Sequence, residues 1–154
     1  MEHQEGLGAY EMGDKIGQGT YGSVFFAKEK NGKQRNVAIK SIAKSQLESY
    51  EKIVNERDCL VDMKNCKQII DLYETLDDED NLYFVIEIAE LGDLQDIIEK
   101  CRKLRSETNK DTRIDRDYAK YIVGQIVLGL EAMHKANWAH RDLKPGNMMV
   151  TKDF

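Results

Sequence analysis

The sequence predicts an α+β fold: an antiparallel sheet with one helix, followed by a mainly helical segment. Three observations predict it. Short apolar stretches alternate with turn residues from Tyr10 to Ile88. From Asp115 to Lys135 the apolar residues step by three or four, the spacing of a helix with one buried face. Pro145 is the only proline and there is no Gly/Ser-rich linker, so nothing in the composition points to disorder.

Residues 10–16 are expected to form the first strand, 23–28 the second and 37–43 the third. Lys30-Asn31-Gly32-Lys33 has hairpin chemistry, because Asn-Gly tolerates positive φ. A helix is expected over 46–64, then strands at 69–76 and 82–88 around the acidic turn Asp77-Asp78-Glu79-Asp80-Asn81. Asp93 is placed to cap a short helix over 94–103. The charged stretch 104–113 suggests a solvated loop. The helix at 115–135 should bury Ala119, Ile122, Ile126, Leu130 and Met133, while His134 and Lys135 suit its dipole. Met148-Met149-Val150 is a stub of strand. The character changes around Glu90-Leu91-Gly92, which predicts a tail at 1–9, a first lobe at 10–88, a hinge at 89–92 and a second lobe from 93 to 154.

Of 154 residues, 28 are acidic and 23 basic, giving a net charge of −5. That balance argues against a dedicated nucleic-acid binder. No apolar run approaches the roughly 18 residues of a membrane span. Met1 to Gly8 is acidic and polar, unlike a secretory signal, and no Gly follows Met1 for myristoylation. Cys59, Cys66 and Cys101 form no Cys-x-x-Cys pair. An odd count without a secretory signal predicts a reducing, cytoplasmic location.

Three motifs carry chemistry. In Gly17-Gln18-Gly19-Thr20-Tyr21-Gly22, three glycines let a backbone approach a polyphosphate with its N–H groups free to donate. The same spacing fits a plain Gly-rich hairpin. A dinucleotide fold would lead from the glycines into a helix and place an acid about 20 residues on. Here a strand follows, and Val37-Ala38-Ile39-Lys40 stands where the acid should be. Lys40 on an apolar strand needs a partner, since burying its charge alone is costly. A phosphate or a carboxylate would serve. Ile53, Glu56 and Leu60 lie three and four apart, which turns Glu56 toward the helix's apolar side. Glu56 could instead pair locally with Lys52. The third motif, His140-Arg141-Asp142-Leu143-Lys144-Pro145-Gly146-Asn147, puts a proton acceptor, a cation for a phosphate and a neutral oxygen for a metal in one loop.

With these motifs in this order, the chain resembles the eukaryotic protein kinase catalytic domain from about Tyr10 to Val150. Asp-Leu-Lys-Pro in the loop is similar to serine/threonine kinases. Asn55-Glu56-Arg57-Asp58 and Asp77 to Phe84 resemble the AGC group, and phosphoinositide-dependent kinases in particular. The resemblance implies a kinase-like fold with an antiparallel small lobe and an incomplete large lobe, ATP and Mg²⁺ as cofactors, and a protein Ser/Thr substrate. Ile16, Gly17, Gly19 and Gly22 would cover the ATP phosphates. Val24 and Ala38 would pack above adenine and Met149 below it, with Ile86 as gatekeeper. The Glu87 carbonyl and Ala89 amide would bond the adenine edge, and Asp93 the ribose. Lys40, held by Glu56, would bind the α- and β-phosphates. Asp142 would accept the substrate proton, Lys144 would stabilise the γ-phosphate and Asn147 would ligate Mg²⁺. Leu60, Leu72 and His140 would join the family's regulatory spine.

There are departures. Trp138 and Ala139 replace the aliphatic pair common before His140, and 104–113 looks like an insertion. The family's Asp-Phe-Gly motif lies about a dozen residues beyond the loop Asn, whereas seven residues follow Asn147 here. Asp153-Phe154 lacks the Gly and comes too early, so the resemblance implies truncation before that motif. Two readings follow: part of an active serine/threonine kinase, or a non-catalytic nucleotide-binding or decoy module. In the truncated chain the apolar stripe of 115–135 would lack its partner helices. The chain alone is then expected to be poorly soluble, or to hold only its first 90 residues firmly.

Overall fold

A computed structural model describes residues 6–19, 22–45, 50–108 and 111–152. The chain divides into two compact units. The first runs to Lys64 and resumes over Ile70–Ile88; the second comprises Asn65–Ile69 and the chain from Ala89 onward.

The first unit is a five-stranded sheet with one helix. Its strands are β1 (Tyr10–Gly19), β2 (Gly22–Glu29), β3 (Asn36–Ala43), β4 (Leu72–Asp77) and β5 (Asn81–Glu87), with helix α1 (Tyr50–Asp62) between β3 and β4. The spatial order is β1-β2-β3-β5-β4, and every neighbouring pair is antiparallel. The predicted turns form. Gly32 adopts φ +67° in the β2–β3 connection. In the β4–β5 turn the Asp78 carboxylate accepts the amides of Asp80 at 2.9 Å and Asn81 at 2.7 Å.

Side chains alternate between the faces of a strand, and both faces of this sheet are covered. On one face Tyr10, Ala27, Val37, Ile39, Leu76, Tyr83 and Val85 form a buried cluster. Leu7 and Ala9, from a 3₁₀ turn at Gly6–Ala9, pack on it. These residues belong to the stretch the sequence assigns to a tail. On the other face Ile42 and Phe84 meet Ile53 of α1, with Leu72, Leu82 and Ile86 alongside. Each fully buried aliphatic or aromatic side chain here contributes about 1.5–3 kcal/mol. A polar group closes the first cluster. The Tyr10 hydroxyl donates to the Glu74 carboxylate, and burial, then Glu74, push its phenol far above the usual range. Arg35 bonds Glu29 at 3.1 Å and lies 4.2 Å over the Tyr73 ring.

Several boundaries differ from the sequence expectation. The strand expected at 69–76 begins only at Leu72, and Ile69 belongs to the second unit. Helix α1 ends at Asp62 rather than 64, where Asn65 turns left-handed at φ +73° as helix-terminating residues do. The expected start of this helix, 46–49, lies outside the described residues.

In the second unit, helices α2 (Leu94–Thr108) and α3 (Arg116–Lys135) are the main elements. Asp93 caps α2, its carboxylate accepting the Asp96 amide at 2.8 Å. Asp115 caps α3 by accepting the Asp117 amide at 2.8 Å. The expected loop at 104–113 is a correction: α2 continues through Thr108. Charge does not break a helix. The stretch holds no Gly or Pro, Lys103 and Glu107 pair at i,i+4, and the Ser106 and Thr108 hydroxyls bond back onto carbonyls of the preceding turn. Residues 111–115 are irregular.

The stripe expected on α3 is also corrected in part. Met133 is buried, Ile122, Ile126 and Leu130 are half-buried, and Ala119 is exposed. Gly129 is buried too, and an added Cβ there would lie 3.2 Å from the Gln68 side chain. Tyr118, Tyr121, Val123, Val127 and Leu128 are the exposed large apolar residues of α3. Among the described residues no helix is long and apolar enough to cross a membrane.

Burial sets the expected stability map. Ile39→Ala, at a fully enclosed position, should cost about 2–5 kcal/mol in chemical denaturation. Val123→Gln, at an exposed one, should change it by less than about 0.5 kcal/mol.

Candidate functional site

The candidate residues fall in both units. In the first, β1 and β2 meet at the glycine-rich turn, where Gly17 pairs with Val24 and Gly19 with Gly22. Residues 20 and 21 lie outside the described residues. The β1–β2 register shifts twice before the turn, between Met12 and Gly17, as strands next to binding sites often do. Ile16 is exposed, while the three motif glycines are half-buried. Gly22 is the sterically critical one: a Cβ there would lie 1.7 Å from the Ser41 carbonyl oxygen on β3. At Gly17 and Gly19 the nearest atoms would be 3.6 and 3.5 Å away, ordinary contact.

Strand pairing then places four candidates on one face. Val24 lies opposite Lys40, Lys40 opposite Phe84, and Ala38 opposite Ile86. This is the face that α1 covers. Ile53 is buried against it, and Glu56, three residues on, is carried to the same side. The Lys40 ammonium lies 2.6 and 2.8 Å from the two Glu56 carboxylate oxygens. Of the two partners open to Glu56, the structure has Lys40 and not Lys52. The lysine side chain is 17% exposed and Glu56 39%, so the pair sits at the rim of the core. At the end of β5, the Glu87 amide donates to the Asp71 carbonyl at 2.8 Å and its carboxylate accepts the Asp71 amide at 3.3 Å.

In the second unit, residues 148–150 lie against 91–94. Leu91 N bonds Val150 O at 3.1 Å, Val150 N bonds Gly92 O at 2.9 Å and Leu94 N bonds Met148 O at 2.8 Å. This brings Asp93 and Met149 together as a bridge pair. Ala89 accepts the Gly92 amide at 3.1 Å, and Gly92 takes φ +79° in that turn.

The loop that feeds this bridge carries the charged candidates. Arg141 is left-handed at φ +60°, and Pro145–Asn147 forms a 3₁₀ turn with Asn147 N on Lys144 O at 2.9 Å. These turns fold Lys144 and Asn147 back onto Asp142. Its carboxylate accepts Lys144 Nζ at 2.8 Å and Asn147 Nδ2 at 2.9 Å, and Asn147 Nδ2 also reaches the Asp142 carbonyl at 2.8 Å. The Lys144 bond first, and the Asn147 bond second, hold the Asp142 carboxyl below its ordinary value. Asp142 is thus an ionised acceptor at neutral pH beside the Lys144 ammonium. Because Asn147 anchors itself through its amide nitrogen, its carbonyl oxygen is the end suited to a hard cation. Among the described residues, no three His, Cys, Asp or Glu side chains cluster to hold a metal.

Some contributors have no signal in the sequence. The Gln18 side chain braces the glycine-rich turn, donating to Gly22 O at 3.1 Å and accepting from Ser23 Oγ at 3.1 Å. In the second unit Gln68 Nε2 donates to Gln125 Oε1 at 3.0 Å. Neither residue type nor spacing announces such pairs.

Comparison with known proteins gives this fold and these constellations a family. The sequence model of the protein kinase domain matches residues 10–154: the chain belongs to the protein kinase domain family. Several of its relatives are named serine/threonine-protein kinases. A probable serine/threonine-protein kinase of Dictyostelium discoideum is 34% identical over 143 residues, covering 91% of this chain and 10% of the relative. The serine/threonine-protein kinase ksg1 of Schizosaccharomyces pombe is 35% identical over 144 residues, covering 92% and 22%. The CDPK-related kinase 4 of Arabidopsis thaliana is 32% identical over 149 residues, covering 94% and 24%. The chain therefore spans a quarter or less of the length of these relatives.

Two outcomes follow from the geometry. Gly22→Ala should destabilise the first unit by about 1–3 kcal/mol, whereas Gly17→Ala and Gly19→Ala should each shift it by less than about 1 kcal/mol; thermal melts compare them. Because the Lys144 and Asn147 bonds hold the Asp142 carboxyl below its ordinary value, it stays charged to lower pH than a free aspartate. Lys144→Met should raise that titration midpoint toward the ordinary aspartate value, with Asn147 keeping it below, as read by carboxyl-carbon NMR.

Proposed function

We propose that this chain is the nucleotide-gripping part and catalytic loop of an ATP-dependent protein serine/threonine kinase, which moves the γ-phosphate of ATP to a Ser/Thr hydroxyl of a protein. In this reading residues 10–88 are the small lobe, 89–92 the hinge and 93–154 part of the large lobe. The observation that carries it is the Asp142 carboxylate held by both Lys144 and Asn147. Phosphoryl transfer asks little covalent chemistry of a protein, so positioning and charge neutralisation dominate.

The roles follow from what each residue offers. Gly17, Gly19 and Gly22, with Ile16 beside them, cover the phosphates. The family resemblance assigns Val24 and Ala38 to one face of adenine, Met149 to the other, Ile86 to the back of the pocket, and the Glu87 carbonyl and Ala89 amide to the adenine edge. Asp93 contacts the ribose with the oxygen that its capping bond leaves over. Lys40, oriented by Glu56, binds the α- and β-phosphates. Asp142 orients the substrate hydroxyl and takes its proton, and Lys144 neutralises the γ-phosphate. Asn147 holds Mg²⁺, which when bound offsets charge on the phosphate oxygens.

We further propose membership of the AGC group, close to phosphoinositide-dependent kinases. Asn55–Asp58 and Asp77–Phe84 support it. A cytoplasmic location rests on the odd, unpaired cysteines.

The test is transfer of label from γ-labelled ATP to Ser/Thr peptides by the purified protein. Transfer should depend on Mg²⁺ and fall on the order of 10²–10⁴-fold in Asp142→Asn. ATP binding without transfer would instead identify a non-catalytic nucleotide-binding module.

A further inference from the structure

Gln18 sits between the first two glycines of the motif, on the exposed surface of β1. An exposed glutamine normally spends its amide on water. Here all four hydrogen-bonding positions of the amide are taken by residues of β1 and β2 that flank the turn. Nε2 donates to Gly19 O at 3.3 Å and to Gly22 O at 3.1 Å. Oε1 accepts from Ser23 Oγ at 3.1 Å and from Lys15 Nζ. A side-chain amide has two donors and two acceptor lone pairs, so none is left over. The arrangement also admits one orientation only: reversed, the NH₂ would face an ammonium and the oxygen would face two carbonyls.

We propose that Gln18 is a clamp for the glycine-rich turn, a positioning residue for the polyphosphate of the bound nucleotide. The inference rests on the nucleotide reading above and deepens it. The physical need is entropic. Glycines make the turn compatible with close approach of a phosphate, but they give the free chain the most freedom to lose when it is fixed. A side chain that ties a carbonyl on β1 to a carbonyl on β2 settles that freedom before the ligand arrives. The effect is largest at the phosphate end, because Val24 and Ala38, assigned to adenine, are also held by the β2–β3 ladder.

The experiment uses the full chain and two variants, Gln18→Ala and Gln18→Met. Met keeps the length of the side chain but makes none of the four bonds. ATP with Mg²⁺ and adenosine are titrated calorimetrically. Both variants should bind ATP about three- to tenfold more weakly, the worth of the hydrogen bonds lost, while adenosine changes by less than about twofold. A merely structural residue would weaken both ligands alike. A ligand-free readout accompanies this: amide exchange at Gly19 and Gly22 should be faster in both variants than in the unaltered chain. Unchanged ATP affinity, or equal loss for ATP and adenosine, overturns the clamp while leaving the nucleotide reading standing. Failure of the unaltered chain to bind either ligand overturns the nucleotide reading, and the clamp's role in binding with it. Unchanged exchange at the two glycines overturns the clamp whatever binds.

Discussion

A cation on the face of an apolar strand must be given a counter-charge, and the first unit is organised around that requirement. Position 40 shares its sheet face with Val24, Ala38, Ile42, Phe84 and Ile86. Nothing on those strands neutralises an ammonium. The carboxylate comes from α1, which is held on the sheet by Ile53 packed against Ile42 and Phe84. Glu56 follows Ile53 by just under one turn, so the contact that buries the helix also aims the carboxylate. Hydrophobic packing supplies the energy, and the ion pair exploits the geometry it leaves. Removing the apolar contact would therefore misplace the charge as well.

The loop around Asp142 is organised on the opposite principle. It is exposed and draws little on a core. Its three polar residues lie within six positions, and local turns fold them onto one carboxylate. A left-handed Arg141 and a 3₁₀ turn do the folding, and the bridge between Asp93 and Met149 ties down the loop's exit. Such a site is screened by water. Its electrostatics depend on two hydrogen bonds rather than on burial, and one of these comes from a lysine that is itself suited to meet a phosphate. The Gln18 clamp is of this local kind too, a polar brace across a hairpin that has no core of its own.

The contrast explains what could be seen before the fold was known. Local chemistry is written in consecutive residues, so the glycine motif, the Asp142 loop, the Asp93 cap and the turns at Gly32 and Asp78 were legible. So were the strands, because a period of two survives in sequence. The Lys40–Glu56 pair was half legible: helical spacing turned Glu56 toward the apolar side but left Lys52 as a rival. Charge density misled at 104–108, where i,i+4 pairing keeps a polar segment helical. Periodicity misplaced part of the buried stripe of α3, since spacing defines a face but not which length of it meets a neighbour.

By itself, then, the sequence determined the strand and helix identities and the family, because each depends on the order of nearby side chains. The tertiary structure decided the rest. It chose Lys40 over Lys52 as the partner of Glu56, gave Asn65–Ile69 to the second unit, set Gly129 of α3 against Gln68 and turned Gln18 onto its own hairpin. Each of these joins groups whose distance is fixed by packing and strand register, quantities that no local pattern of residues contains.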